Sequence, residues 1–172
     1  DTYKFYRNDS PRSVLQKMLN NFDNRVTEEM RSQLDSLNAN VTEGTFSMHD
    51  VIIVASLIEK ETSSNDESPK IASVIYNRLF RWGNNRPLLN IDASIVYAQE
   101  GNNARIDTKL DHPYNTYLYE GLPAGPIANP GEESIKAAID PENTDYLYFG
   151  VGKNGRHIFS KTYEEHMAAQ EQ

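Results

Sequence analysis

Cysteine is absent from the 172 residues of this chain, which excludes disulfides, thiolate nucleophiles and cysteine-ligated zinc sites. Long hydrophobic runs are absent too: no apolar segment approaches the roughly 20 residues of a membrane span. The chain opens without Met or a basic segment, so we expect no signal peptide. Hydrophobic residues make up 38% and charged residues 24% of the chain, which is typical of a soluble globular domain.

Positive charge is scarce, since 17 Lys and Arg face 25 Asp and Glu for a net charge of −8. Without a basic stripe, the chain is not expected to bind nucleic acid. The histidines lack the spacing of metal ligands, and no Walker-type or dinucleotide-type phosphate loop is present. A nucleophile elbow for a Ser-His-Asp triad is also missing. We therefore expect neither a metal nor a cofactor.

Helical periodicity dominates the remaining pattern and predicts a single domain over residues 1–172. Ser10-Pro11 and Ser68-Pro69 are typical of helix starts, with a capping residue followed by Pro at the first helical position. Apolar residues surround the axis of the segment 50–62, so this helix should be buried on most sides. The other predicted helices begin near Ser10 and Ser68, cover residues 28–37, 92–97 and 131–139, and follow Thr162.

Strand signals are few. Residues 146–151 and 157–159 flank Lys153-Asn154-Gly155, which is hairpin turn chemistry. The alternating aromatic segment 2–6 predicts a further short strand. The predicted fold class is α+β, a helical core with a small antiparallel sheet.

A long segment without regular structure, residues 102–130, is the most unusual part of the predicted domain. It contains Tyr114-Asn115-Thr116-Tyr117 and the Gly- and Pro-rich residues 121–127. Asn, Thr and Tyr offer the hydrogen-bonding and stacking groups that polyol ligands need. The alternative is an ordinary stiff connector.

Glu59 ends an apolar run over residues 51–58, where a carboxylate is costly to keep charged. A proton held longer than usual suits a general acid. Glu61 lies two residues on, about 200° around the helix, and also follows an apolar strip. Periodicity does not separate the two, and either could be an exposed acid at a helix end.

An ordinary glycosidase needs a second carboxylate. Candidates are Asp66, Glu67, Asp92 and Glu120; Asp92 can also cap a short helix.

Residues 55–62, ASLIEKET, resemble the ASIVEKET signature of the YceG-like endolytic murein transglycosylases, the MltG family. Two departures are Asn90, where Gln is commoner, and Ala93, where some members have Pro. The similarity continues in order through residues 70–79, 89–98, 114–117, 121–131, 146–149 and 155–160, and Asp1-Thr2-Tyr3 resembles the family's entry segment.

The resemblance implies a lytic transglycosylase with a lysozyme-like cleft that cleaves within peptidoglycan strands. It would break the β-1,4 bond between N-acetylmuramic acid and N-acetylglucosamine and leave a 1,6-anhydromuramoyl end. One Glu would act first as acid and then as base, so a second carboxylate is not required. On this alignment the residue is Glu59, with Glu61 in reserve.

The remaining site residues follow from the resemblance with structural alternatives beside them. Tyr114, Asn115 and Tyr117 are expected to hold the sugar, or to brace a rigid loop. Asn77 and His157 are expected at the cleft, or in packing roles. Arg78 could orient the catalytic Glu or hold the loop.

The resemblance also implies a setting in the bacterial cell wall. The chain would be the catalytic domain of a longer protein with an N-terminal membrane anchor and a LysM-like module, neither of which is in these 172 residues. That protein would face outward from the cytoplasmic membrane. Its partners would be glycan strands, cell-wall synthases and the division or elongation machinery. It would trim or terminate nascent strands. The alternatives are a hydrolytic muramidase and a non-catalytic glycan-binding or scaffold module.

Overall fold

The computed structural model describes residues 2–39, 44–62, 64–80, 87–102 and 105–171. In these ranges helices alternate with long connections, and one antiparallel hairpin lies near the C-terminal end, so the predicted α+β class is confirmed. The helices are α1 (Pro11–Arg25), α2 (Glu28–Ala39), α3 (Met48–Glu61), α4 (Ser68–Phe80), α5 (Asp92–Ala98), α6 (Glu132–Ile139) and α7 (Tyr163–Gln170).

Side-chain caps form the starts of α1, α3 and α7, whereas Ser68, predicted to cap α4, is the first residue of that helix. The Ser10 hydroxyl accepts the Ser13 N–H before α1. At α3, Ser47 accepts the Asp50 N–H, and the Asp50 carboxylate accepts the Ser47 N–H, which is a capping box. Thr162 and Glu165 repeat this reciprocal arrangement at α7. These caps satisfy N–H groups that the first helical turn leaves without partners.

Helix α3 is the centre of the core, as its apolar pattern predicts. Seven of its residues, Val51 and residues 53–58, are buried, and α4 and α6 pack against it. The α4 face that meets this core carries Ile71, Ala72 and Ile75, all at or below 1% exposure. Burial on this scale is the main source of stability, at about 25 cal/mol per Å² of apolar surface.

The long segment predicted to lack regular structure is confirmed where it is described, since residues 105–130 contain neither helix nor strand. Polar side chains tie it to the helices. The buried Ser56 hydroxyl on α3 accepts the Ile127 N–H at 3.0 Å and donates to the Ile53 carbonyl. The Thr116 hydroxyl accepts the Ile91 N–H at 2.9 Å. The segment is therefore held against α3 and the start of α5.

The hairpin pairs β1 (Tyr148–Val151) with β2 (His157–Ser160), in the register Tyr148 opposite Ser160. The turn includes Gly155 with φ of +76°, a left-handed conformation that favours glycine. This confirms the predicted hairpin. Helix α7 packs on both strands, and α4 contacts β1.

Two local predictions are wrong. Residues 2–6 form no strand, because no neighbouring strand is available to accept their hydrogen bonds; Tyr3 and Phe5 stack on each other near Lys17 of α1 instead. Asp92 begins α5 but does not cap it, since Ile91 holds the N-cap position without a side-chain bond. The Asp92 carboxylate is bound to Tyr117.

Across the described ranges, no helix is both long enough and apolar enough to cross a membrane.

Replacing Ser56 tests the anchor of the long segment. Ser56→Ala should lower the free energy of unfolding by about 1–3 kcal/mol, because the buried Ile127 N–H loses its acceptor. Urea unfolding measures the change, and Ser32→Ala on the exposed side of α2 is the matched control. Equal stability of the two variants would contradict the proposed anchoring.

Candidate functional site

An open cleft of about 390 Å³ lies where the end of α3, the start of α5, the hairpin and α7 meet. Its lining includes the acids Glu61 and Asp92 and the phenol of Tyr117. Arg78 from α4 and Tyr148 from β1 also line it. Ionisable groups from five separate parts of the chain therefore face one concave surface, which is the usual arrangement of an active site.

Glu61 is the last residue of α3, and its half-buried side chain enters this cleft. Burial raises the pKa of its carboxyl group, and the nearby negative charge of Asp92 raises it further. The Ala93 backbone N–H and the His157 side chain act in the opposite direction but do not outweigh them. A carboxyl group that keeps its proton above the ordinary range is suited to general acid catalysis.

Asp92 and Tyr117 form a hydrogen-bonded pair beside Glu61. The Tyr117 hydroxyl donates to Asp92 Oδ1 at 2.5 Å. Burial raises the pKa of Tyr117, and the bond to Asp92 adds to this effect. Tyr117 therefore remains a neutral donor that orients the Asp92 carboxylate within the cleft.

Glu59 lies on another face of α3, with an exposed side chain outside this cleft. Its Oε2 accepts the Gly131 N–H at 3.0 Å and the Ser134 hydroxyl at 2.6 Å. Gly131 is the N-cap residue of α6, so the carboxylate binds the positive end of that helix. The expected apolar surroundings of Glu59 are not found, because the rotation of α3 turns this position outward.

Two further predicted site residues occupy bracing positions. Asn115 is 1% exposed; its Nδ2 donates to the carbonyls of Thr108 and Leu110. Tyr114 packs against the Tyr97 ring at 4.8 Å between centroids. Its hydroxyl lies so close to Gly125 that a Cβ there would come within 2.7 Å. Both residues shape the long segment.

Asn77 is buried on α4 and also has a bracing position. Its Nδ2 donates to the carbonyls of Thr144 at 2.9 Å and Tyr146 at 2.8 Å. It lines a separate groove of about 490 Å³ between α2, α4 and residues 139–144. The bonds fix the segment that leads into β1.

His157 borders the cleft from β2 and is held by a buried acid. Glu67, 4% exposed, accepts His157 Nδ1 at 2.8 Å and the His157 backbone N–H at 3.2 Å. Arg156 Nε lies 3.1 Å from the same carboxylate. Glu67, one of the acids weighed as a second catalytic carboxylate, thus secures the hairpin to the start of α4.

Arg78 and Tyr148 also line the cleft. The sequence analysis gave Arg78 a role in orienting the catalytic Glu or holding the loop, and gave Tyr148 none. Arg78 occupies an ordinary polar position on an amphipathic helix, and Tyr148 an ordinary position on a strand. The motif similarity over residues 70–79 and 146–149 covers both, and that was the available signal. No group of three or more His, Asp or Glu side chains that could hold a metal ion occurs among the residues the structure describes.

The site is thus an acid-lined cleft on a helical α+β domain, which is an arrangement typical of an enzyme. The model of the YceG-like family matches residues 1–172, so the chain belongs to the YceG-like family.

Named relatives agree with this membership. An endolytic murein transglycosylase of Bacillus subtilis (strain 168) is 38% identical over 149 residues, covering 85% of this chain and 40% of that protein. The endolytic murein transglycosylase of Streptococcus pneumoniae serotype 2 (strain D39 / NCTC 7466) is 32% identical over 174 residues, covering 96% of this chain and 29% of that protein.

A crystal structure of a yceG-like protein from Listeria monocytogenes superposes with a TM-score of 0.83 at 35% identity. The match covers 98% of this chain and 52% of that one. The chain therefore spans less than half the length of the two relatives and about half of the solved structure.

The Glu67 contact predicts a pH dependence of stability. Burial favours the protonated carboxyl group, but bonds from His157 and the charge of Arg156 outweigh it and lower the pKa of Glu67 from 4.5. A depressed folded-state pKa adds stability that is present above about pH 4.5 and lost as the pH falls further. Glu67→Gln should cost about 1–3 kcal/mol at pH 7 and flatten the acid part of the stability profile.

Urea unfolding between pH 3 and pH 7 measures this profile, on a scale of about 1.4 kcal/mol per pH unit for one proton. Glu29→Gln on the exposed side of α2 is the matched control and should keep the wild-type slope. A Glu67→Gln profile parallel to the wild type would refute the assignment.

Proposed function

We propose that the chain is the catalytic domain of an endolytic peptidoglycan lytic transglycosylase and that Glu61 is its acid and base. One observation carries the proposal: Glu61 is the carboxyl group of the family motif that enters the cleft, beside Asp92 and Tyr117. Family membership and the names of the relatives support the substrate class.

The reaction assigns one proton cycle to Glu61. The protonated carboxyl group gives its proton to the glycosidic oxygen as the bond to C1 of the muramoyl sugar breaks. The resulting carboxylate then takes the proton of the C6 hydroxyl, and O6 attacks C1 of the same sugar. The products are a free N-acetylglucosamine 4-hydroxyl and a 1,6-anhydromuramoyl end. Water is neither consumed nor released, and Glu61 ends protonated.

The surroundings of Glu61 suit both halves of this cycle. Its raised pKa favours the acid form at the start. We assign to the Asp92 carboxylate, which Tyr117 holds in place, the stabilisation of positive charge at C1 as the bond breaks. The remaining rate enhancement must come from distortion and positioning of the sugar within the cleft.

Glu59 remains the rival acid from the sequence motif, and paired isosteric variants separate the two. Glu61→Gln should lose about 10²–10⁴-fold in turnover of peptidoglycan strands, because the amide cannot exchange the proton. Glu59→Gln should stay within a few-fold of wild type, since its amide oxygen can still accept from Gly131 and Ser134. Chromatography of digested strands measures both rates. The opposite ranking would assign the reaction to Glu59.

A hydrolytic muramidase is the second candidate, because Asp92 supplies the second carboxylate that a hydrolase requires. Mass spectrometry of the products distinguishes them, since an anhydro end is lighter than a reducing end by one water. Products with reducing ends alone would favour the muramidase. A chain that binds strands without any Glu-dependent cleavage would favour the non-catalytic module.

Asp92→Asn gives a further test through the pH dependence of kcat/KM. Removing the Asp92 charge lowers the pKa of Glu61, since that charge is one of the causes that raise it. Glu61 would then lose its proton at a lower pH, so the alkaline limb should move to lower pH. Anhydro ends should still form, because the nucleophile belongs to the substrate. An unmoved limb would contradict the coupling, and loss of all product with unchanged folding would favour hydrolysis.

We also propose that the longer protein works at the outer face of the cytoplasmic membrane, beside cell-wall synthases and the division or elongation machinery. The support is the peptidoglycan substrate and the family resemblance. In that setting, cleavage within a strand would trim or terminate nascent glycan.

A further inference from the structure

Arg78 lines the cleft, and the proposed reaction gives it no task. Its side chain comes from α4. The Nε atom is sealed from solvent and has no hydrogen-bond partner in the described part of the chain. The guanidinium carbon lies 5.2 Å from the centre of the Tyr148 ring, which supports it from one side. No described carboxylate forms an ion pair with it.

A partly buried cation without a counter-ion is unfavourable in a folded protein, because burial removes its hydration. The chain carries an excess of eight negative charges, so acids to neutralise Arg78 are abundant. Arg25, Arg31 and Arg156 each form an ion pair with an acid. Arg78 forms none with the described carboxylates, although it lines the same cleft as Glu61 and Asp92.

Aromatic rings and further hydrogen-bonding groups share the cleft with Arg78. Tyr148 from β1 and Tyr163, His166 and Gln170 from α7 line it. Burial and the positive charge of Arg78 together lower the pKa of His166. Arg78 also interacts electrostatically with Tyr117, whose hydroxyl donates to Asp92. The cleft therefore holds a cation and further donors together with the acids.

We propose that Arg78 binds a carboxylate of the substrate and so selects an acidic glycan over a neutral one. A guanidinium suits this role because its fork of N–H groups matches a carboxylate. The inference rests on the proposed function, since muramoyl sugars carry the carboxylates in question. Two sources share this chemistry: the lactyl carboxylate of a strand stripped of peptides, and the carboxylates of an intact peptide stem.

The contact has a consequence for the register of the bound strand, because Arg78 and Glu61 line the same cleft. A carboxylate held at Arg78 places the muramoyl sugar, and not N-acetylglucosamine, in a defined position relative to Glu61. Since only the muramoyl side of the glycosidic bond should be attacked, this contact would choose which of the two alternating bonds lies at Glu61.

Binding measured on the Glu61→Gln chain tests the proposal without turnover. Three probes are titrated by calorimetry: peptide-bearing glycan strands, strands stripped of peptides by an amidase, and chitohexaose, which has no carboxylate. Adding Arg78→Gln should weaken binding of at least one acidic probe by about tenfold or more, the effect of one charge-assisted hydrogen bond, and leave chitohexaose within about twofold. The acidic probe that loses affinity identifies the source of the carboxylate.

Two variants complete the design. Arg12→Gln on the exposed side of α1 makes the same change in net charge and should bind all three probes as the parent does. Arg78→Lys keeps the charge but not the fork, and should fall between the parent and Arg78→Gln. If Arg78→Gln fails to fold, the parent chain still gives a result: affinity for the acidic probe should fall with added salt, and affinity for chitohexaose should not.

Equal losses on acidic and neutral probes, no loss on either acidic probe, or equal salt dependence for all three would overturn the proposal. A parent chain that binds none of the three glycans would instead contradict the proposed function itself. The two failures are thus distinguishable.

Discussion

The contact between α3 and α6 fixes how α3 is rotated about its own axis. That rotation determines whether Glu59 or Glu61 faces the cleft. Residues along α3 are buried on nearly every side, so apolar packing alone would tolerate several rotations. The Glu59 carboxylate selects one of them by accepting the Gly131 N–H and the Ser134 hydroxyl at the start of α6. With Glu59 held on that side, Glu61, about 200° away, must face the cleft.

The two acids of the motif therefore have different surroundings. Glu59 is exposed and binds the positive end of α6. Glu61 is half-buried near Asp92, and burial raises the pKa of its carboxyl group. Segment 105–130 completes the environment of Glu61, because Ser56 and Thr116 fasten it to the helices and bring Tyr117 to Asp92. The site depends on this loop as much as on the helices.

The cleft holds both signs of charge in a strongly acidic chain. Glu61 and Asp92 share it with Arg78, which forms no ion pair with the described carboxylates. Under the proposed reaction a single carboxyl group suffices, so Asp92 would serve the electrostatics of the reaction and Arg78 the positioning of the substrate. The same geometry would serve a hydrolase if Asp92 activated water, which is why product chemistry is the decisive measurement.

The sequence by itself determined the α+β class, most helix starts, the buried helix over 50–62, the hairpin and the family, because caps, periodicity and turn residues are local signals.

It could not rank Glu59 and Glu61, since both follow apolar strips and periodicity alone leaves the rotation of α3 undefined. It gave the wrong state for residues 2–6, because a strand needs a partner that only the fold can provide. It left Asn77, Tyr114 and Asn115 open between contacts to the sugar and bracing roles, and in the fold their amides and rings make bracing contacts. Tertiary structure decided which acid, tyrosine and arginine meet, because those side chains come from segments far apart in the chain and converge only when the core has packed.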